Sequence, residues 1–143
     1  MLEKNSVGFG ASGRNGGWCS SLLPMSLESL EKSHGAALAT AMQCAMHDTV
    51  DEIDHQITAL GINCDFHKGG SIDVCRSQSQ LQKARARVDT ARRFNIDGDH
   101  LRILSASETR SVVNMQGALS AVFDADSAVL HPRKLVTGLA QSL

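Results

Sequence analysis

Residues 8–17, Gly8-Phe-Gly-Ala-Ser-Gly-Arg-Asn-Gly-Gly17, hold five glycines, with Ser12, Arg14 and Asn15 set among them and Trp18 directly after. A segment of this kind exposes backbone N–H groups and short polar side chains, the equipment for meeting an anion or the edge of a planar cofactor. Ser12 and Asn15 can donate hydrogen bonds to phosphate oxygens. Arg14 can offset phosphate charge through a forked contact, or equally face solvent. Gly8-x-Gly10-x-x-Gly13 also matches the dinucleotide fingerprint letter for letter, but that fingerprint needs a full strand before it and a helix opening within it. Only seven residues precede Gly8, and Arg14-Asn-Gly-Gly17 followed by Pro24 is poor helix material, so the literal match is set aside. A different placement fits better: Leu2-Glu3 closes a strand whose acid takes the ribose hydroxyls, and the glycine loop passes later along the pyrophosphate.

The other chemically capable residues have blander readings. His47, Asp51 and His55 recur at four-residue steps on one helical face, a spacing that could hold a metal. Asp48, Glu52 and Asp54 crowd the same stretch, which makes a solvated acidic face the better account, and no metal site is assigned. Cys19, Cys44, Cys64 and Cys75 contain no C-x-x-C pair and are expected to be buried free thiols, with Cys64 and Cys75 on neighbouring strands as the one pairing to consider. Lys83, Arg85, Arg87, Arg92 and Arg93 read as a solvated helix face. His131 before Pro132 is structural, and Trp18 either shields a bound ring or packs. No catalytic acid or base can be nominated.

Composition narrows the class. With 42% hydrophobic and 20% charged residues and a net charge of −1, the chain has neither the basic excess of a nucleic-acid binder nor that of a protein held to an anionic membrane. Four Phe, one Trp and no Tyr offer few stacking platforms for single strands. No apolar run approaches the roughly 18 residues of a membrane span, and the N-terminus lacks a signal-peptide core, so the default location is the cytoplasm.

The elements that must position these residues follow from periodicity. Residues 1–4 end a strand, residues 5–24 form an irregular glycine-rich segment, and residues 26–60 are helical with a break at His34-Gly35. Leu38, Met42, Met46, Val50, Ile53, Ile57 and Leu60 make a continuous apolar stripe, and Gly61 sits at the C-cap position. Strands are expected at Ile62–Phe66 and Ser71–Cys75, joined as a hairpin through His67-Lys68-Gly69-Gly70. Ser77-x-x-Gln80 and Ser105-x-x-Glu108 are capping boxes that open helices. Leu101–Leu104 and Ala118–Phe123 are further strands, and Pro132 starts a last helix. Helix and strand alternate without repeat, an α/β layered class that is α+β within this span.

Leu2-Glu3, a short spacer and the loop Gly8–Gly17 together resemble the FAD-dependent oxidoreductases of the D-amino-acid oxidase superfamily. The branch with glycine oxidase, sarcosine oxidase and gamma-glutamylputrescine oxidase-like enzymes is the nearest in pattern. The helix around Ala45-Met46-His47-Asp48-Thr49-Val50, the Lys68-Gly69-Gly70 strand start and His131-Pro132-x-x-Leu135 extend the likeness over nearly the whole chain. The resemblance implies part of a Rossmann-like FAD-binding domain plus part of a substrate domain, rich in helix. Residues 1–60 would hold the flavin loop and long helix, residues 61–128 part of the substrate domain, and residues 129–143 a helix returning to the FAD domain. It also implies FAD as cofactor, with Glu3 on the adenosine ribose and Gly10, Ala11, Ser12, Arg14, Asn15, Gly16 and Gly17 along the pyrophosphate and isoalloxazine.

The strand and fingerprint expected before residue 1, and the FAD-domain strands expected after the His-Pro helix, are not in this sequence. The expectation is therefore a fragment of an enzyme oxidising the C–N bond of a small amine or amino acid, inactive by itself and doubtful as an autonomous FAD binder. The alternative is a non-catalytic, helix-rich interaction module, pairing with another fragment or with itself, or a degenerate remnant.

Overall fold

The computed structural model describes residues 3–143, and every structural feature given for the chain lies within them. A short 3-10 turn at Ala11–Gly13 is followed by β1 (Trp18–Ser20), α1 (Leu27–His34), α2 (Ala36–Ala59), β2 (Ser71–Cys75), α3 (Gln78–Arg93), β3 (Leu101–Leu104), α4 (Ala106–Val112), β4 (Ser120–Asp124), β5 (Ser127–Val129) and α5 (Pro132–Gln141).

The helix boundaries are set by caps written into the sequence. The Ser26 hydroxyl accepts the Ser29 N–H at the start of α1. Gly35, at φ +85°, separates α1 from α2, since only glycine enters that conformation without strain. α2 ends in a full Schellman motif: Gly61 N–H donates to the Thr58 carbonyl at 3.1 Å and Ile62 N–H to the Ile57 carbonyl at 2.8 Å. α3 closes the same way on Asn95, at φ +57°, the non-glycine residue best suited to the left-handed position. Both capping boxes form with both of their hydrogen bonds. His131 caps α5 through Nδ1, and Pro132 is its first helical residue.

All strand pairs are antiparallel. A three-stranded sheet runs β2-β4-β3, with Ser71 opposite Asp124, Cys75 opposite Ser120 and Leu101 opposite Asp124. A two-stranded ribbon joins β1 to β5, Cys19 facing Ala128. One face of α3 packs on the larger sheet, and the main core joins Ala84, Val88 and Ala91 of that helix to Cys75, Leu101 and Val122. Leu30 of α1 and Ala39 of α2 belong to the same core. A smaller core of Cys19, Val50 and Ala128 lies under the ribbon. The architecture is thus the mixed helix-and-sheet class expected.

Several expectations are corrected. Ile62–Phe66 is not a strand and forms no hairpin with Ser71–Cys75. β2 is paired by β4, Asp65 sits at φ +55°, and the Cys64 carbonyl accepts the His131 N–H at 2.7 Å, so no ladder can run through this segment. Instead His67 exchanges two hydrogen bonds with Val129, and Gly70 N–H donates to the Ser127 carbonyl. Cys64 is consequently not on a strand beside Cys75. All four cysteines are free, and Cys44 is exposed rather than buried. Glu3 and Lys4 lie outside any strand, while Met1 and Leu2 fall outside the described residues. On α2 the apolar stripe is not evenly covered: Val50 and Ile57 are buried, but Leu38, Met42 and Leu60 are exposed. The three-residue strands β1 and β5 carry no alternating pattern long enough to predict. β4 begins two residues later than expected.

Candidate functional site

The glycine loop is folded by its own backbone. Gly13 N–H donates to the Gly10 carbonyl and Arg14 N–H to the Ala11 carbonyl, closing the 3-10 turn. Asn15 staples this turn to the residues leading into β1: its amide nitrogen donates to the carbonyls of Ala11 and Ser12, and its Oδ1 accepts the Gly17 N–H at 2.9 Å. Arg14 lays its guanidinium over the Phe9 ring, 4.7 Å from the centroid, a cation–π contact that keeps it on the loop.

The glycines divide into two kinds. A Cβ on Gly13 would stand 2.1 Å from the Gly8 carbonyl oxygen, and one on Gly17 would stand 2.0 Å from that of Leu130. Gly17 is also at φ +68° and is buried. A Cβ on Gly8 would meet Val136 of α5 at 2.8 Å. These three are glycine because the loop closes on itself and on α5. Gly10, by contrast, has nothing within 4 Å of an added Cβ, and Gly16 has only the Trp18 ring, at 3.9 Å. Gly10, Ala11, Ser12, Arg14, Asn15 and Gly16 are all exposed. Glu3 is exposed too, with its Oε1 accepting the Asn5 N–H.

Beside the loop's exit, Trp18 lines a cavity of about 430 Å³ with Gly69, Gly70 and residues of β5. A larger cleft of about 480 Å³ lies between the segment after β1, α2, α3 and the start of β3, lined by Ser21, Gln43, His47, Arg87, Thr90 and His100. Two of its lining residues, His47 and His100, belong to a polar cluster that the sequence did not disclose. Asp126, only 4% exposed, accepts from His100 Nδ1 at 2.6 Å on Oδ2, while Lys68 Nζ lies 3.3 Å from Oδ1. His47 Nε2 lies 3.8 Å from the same Oδ2, and the two imidazole rings stack with centroids 4.2 Å apart.

Gln43 fixes the His47 tautomer. Its amide nitrogen donates one hydrogen to the Ser21 carbonyl and lies 3.0 Å from His47 Nε2. Nε2 therefore accepts and the proton sits on Nδ1, which is buried and has no hydrogen-bond partner among the described residues. Burial pushes the imidazole below the usual histidine range, against the opposing charge of Asp126. Lys68 is held above its usual value by its hydrogen bond to Asp51, with Asp126 adding to the effect. Burial also pushes the Cys19 thiol up, which keeps it protonated and a poor nucleophile.

The helical triple of His47, Asp51 and His55 does not act as a unit. His47 turns into the cluster, Asp51 pairs with Lys68, and His55 stays exposed next to Glu52. His131 is a helix cap. Arg87 bridges Asp73 and Asp124 across the sheet, while Arg92 and Arg93 pair with acidic neighbours on the surface. Asp126 and His100 lie in loops without motif or period, and only their meeting in space makes them notable.

The sequence profile of the family described as "DAO: FAD dependent oxidoreductase" matches residues 1–143. Gamma-glutamylputrescine oxidoreductase of Escherichia coli (strain K12) is 29% identical over 143 residues, covering 100% of this chain and 33% of that protein. Among solved structures, L-amino acid deaminase from Proteus vulgaris superposes with a TM-score of 0.70 at 18% identity, covering 98% of this chain and 34% of that one. Glycine oxidase from Bacillus cereus ATCC 14579 superposes with a TM-score of 0.65 at 15% identity, covering 99% and 35%. The chain thus spans about a third of the length of the relatives it matches.

Proposed function

This chain belongs to the family of FAD-dependent oxidoreductases, and from that premise we propose that it forms one wall of the coenzyme cleft in an enzyme that oxidises the C–N bond of a small amine or amino acid. The family's cofactor is FAD, which when bound supplies the hydride-accepting chemistry. The observation that carries this reading is the split among the glycines. Gly8, Gly13 and Gly17 are required by the fold, whereas Gly10 and Gly16 leave open space on the exposed side of the turn, where a bound group can approach the backbone.

In this reading Ser12 donates its hydroxyl to a cofactor oxygen, and Arg14, steadied on Phe9, offsets pyrophosphate charge. Asn15 contributes by holding the turn, since both ends of its amide are already bonded within the loop. Ala11 and Gly16 present backbone to the ring, and Glu3 offers a carboxylate oxygen to the ribose. Gly17, buried with its N–H and carbonyl bonded to Asn15 and Leu130, anchors the loop behind them. The packing of α5 against residues 8–13 supports assigning residues 1–60 and 129–143 to the coenzyme domain and residues 61–128 to the substrate domain. The names of the relatives indicate small amine or amino-acid substrates, and that class is carried over here. Four free thiols suit a cytoplasmic location.

These 143 residues, a third of the relatives' length, are proposed to have little or no activity alone. The test is to purify the chain, add FAD, remove the excess and record the flavin spectrum with and without amines and amino acids. No retained flavin is expected; a bound flavin that these substrates bleach overturns the inactivity. A second reading, a non-catalytic interaction module, draws support from Trp18 at 89% and Leu22 at 73% exposure beside the ribbon. Light scattering decides this one: a chain monomeric both alone and mixed with the remaining two-thirds of such an enzyme argues against it.

A further inference from the structure

We infer that His47, His100 and Asp126 form a binding site for a divalent transition-metal ion of the zinc type, reached from the cleft between α2, α3 and the start of β3. One potential ligand atom from each residue lies within 4.8 Å of the others. Ligand atoms around a tetrahedral zinc, bonded at roughly 2.0–2.2 Å, stand on the order of 3.3 Å apart. The two distances to Asp126 Oδ2, 2.6 Å from His100 Nδ1 and 3.8 Å from His47 Nε2, bracket that value. The imidazoles, stacked at 24°, must swing apart for both lone pairs to meet one ion, and the partly exposed His100 ring is the one that turns.

The carboxylate is already divided as a ligand would be. Oδ2 faces both imidazoles, while Oδ1 faces Lys68, whose own charge is shared with Asp51. Asp126, Asp51 and Lys68 together carry one net negative charge, which favours a cation. Hydrogen-bonded support of a ligating carboxylate is the usual outer-shell arrangement in metal sites. Two imidazole nitrogens with one carboxylate oxygen suit zinc and its neighbours, whereas calcium and magnesium prefer all-oxygen sets.

The nitrogen that would take the ion is weakly engaged. His47 is 8% exposed, and its Nε2 meets only a side-chain amide hydrogen, while Nδ1, which the ion would not touch, has no hydrogen-bond partner among the described residues. On metal binding the Gln43 hydrogen gives way to the ion while Gln43 keeps its bond to the Ser21 carbonyl. His100 moves its proton from Nδ1 to Nε2, so no net proton is lost from the imidazoles. The His100 side chain, 43% exposed, and the cleft in front of it leave a fourth position for water.

The test uses the full chain, freed of metal by chelation, titrated with Zn²⁺ by calorimetry and with Co²⁺ by visible absorption. One equivalent of saturable binding is expected, with Co²⁺ showing the intense bands of a low-symmetry site. His100→Ala and Asp126→Asn are each expected to weaken binding at least tenfold, while His55→Ala, at an exposed position, leaves it unchanged. No saturable binding, or affinity indifferent to His100→Ala, overturns the proposal. Circular dichroism checks folding, and should Asp126→Asn fail to fold, the partly exposed His100 substitution decides alone. None of these readouts depends on flavin, so their outcome is separate from that of the coenzyme reading.

Discussion

The glycine loop and the Asp126 cluster are the two places where this molecule concentrates polar chemistry, and they are built in opposite ways. The loop is contiguous, exposed along one side and shaped mainly by hydrogen bonds among its own residues, with Gly8 and Gly17 seated against α5 and Leu130. The cluster draws on residues from 43 to 126, is largely buried, and is held by side chains satisfying other side chains. A local site is preorganised by what the backbone can do, and its vulnerable residues are those lacking a Cβ. A nonlocal site is preorganised by partner groups, and its vulnerable residue is the one whose charge the others neutralise.

The sharpest way to break the cluster is Asp126→Ala. It removes a buried carboxylate from Lys68 and His100 and is expected to cost about 3 kcal/mol or more of unfolding free energy in urea titrations. A loss below about 1 kcal/mol would mean that the network is slack. In the loop, Gly17→Ala places a methyl against the Leu130 carbonyl oxygen at a positive φ, with an expected cost of about 2 kcal/mol by the same measurement. Equal stability of mutant and parent would show that the turn stays open at Leu130.

Thr90 stands on the wall of the larger cleft, where its hydroxyl donates to Glu28 at 2.7 Å and ties α3 to α1. That bond holds the Glu28 carboxyl below the usual glutamate value. A folded-state value below the unfolded one gives stability that is complete above roughly pH 4.3 and fades as the pH falls. Thr90→Val should therefore cost about 1 kcal/mol at neutral pH and progressively less in acid, as read from denaturation midpoints at several pH values. A pH-independent loss would assign the effect to packing. Smallest of all is Gly10→Ala, expected to change stability by less than about 0.5 kcal/mol, since nothing stands near the added methyl. A large loss there would erase the distinction between structural and open glycines on which the coenzyme reading depends.

Much of the fold could be read before any coordinates. The helix at Ser26, its break at Gly35, the Gly61 terminus, both capping boxes and the Pro132 start each rest on one or two residues whose conformational preferences are strong and local. The false hairpin at Ile62–Phe66 shows where such reading stops. An apolar run between glycines resembles a strand, but a strand exists only with a neighbour to bond, and β4 already occupied the edge of β2. The ribbon of β1 and β5 was missed for the converse reason: two three-residue segments with no pattern of their own become strands because the fold sets them side by side.

The chain's own order of residues determined its helices, its caps, the glycine-rich turn and, through that loop, its family. Those properties arise from interactions spanning a few residues, where backbone stereochemistry leaves little choice. Only the tertiary structure decided that His47 leaves its helical companions for His100 and Asp126, and that Gly10 looks outward while Gly13 and Gly17 are wedged against carbonyls. Such facts depend on which distant segments come together, and burial, which forces polar groups to find partners wherever the chain happens to bring them, is a property of the packed whole.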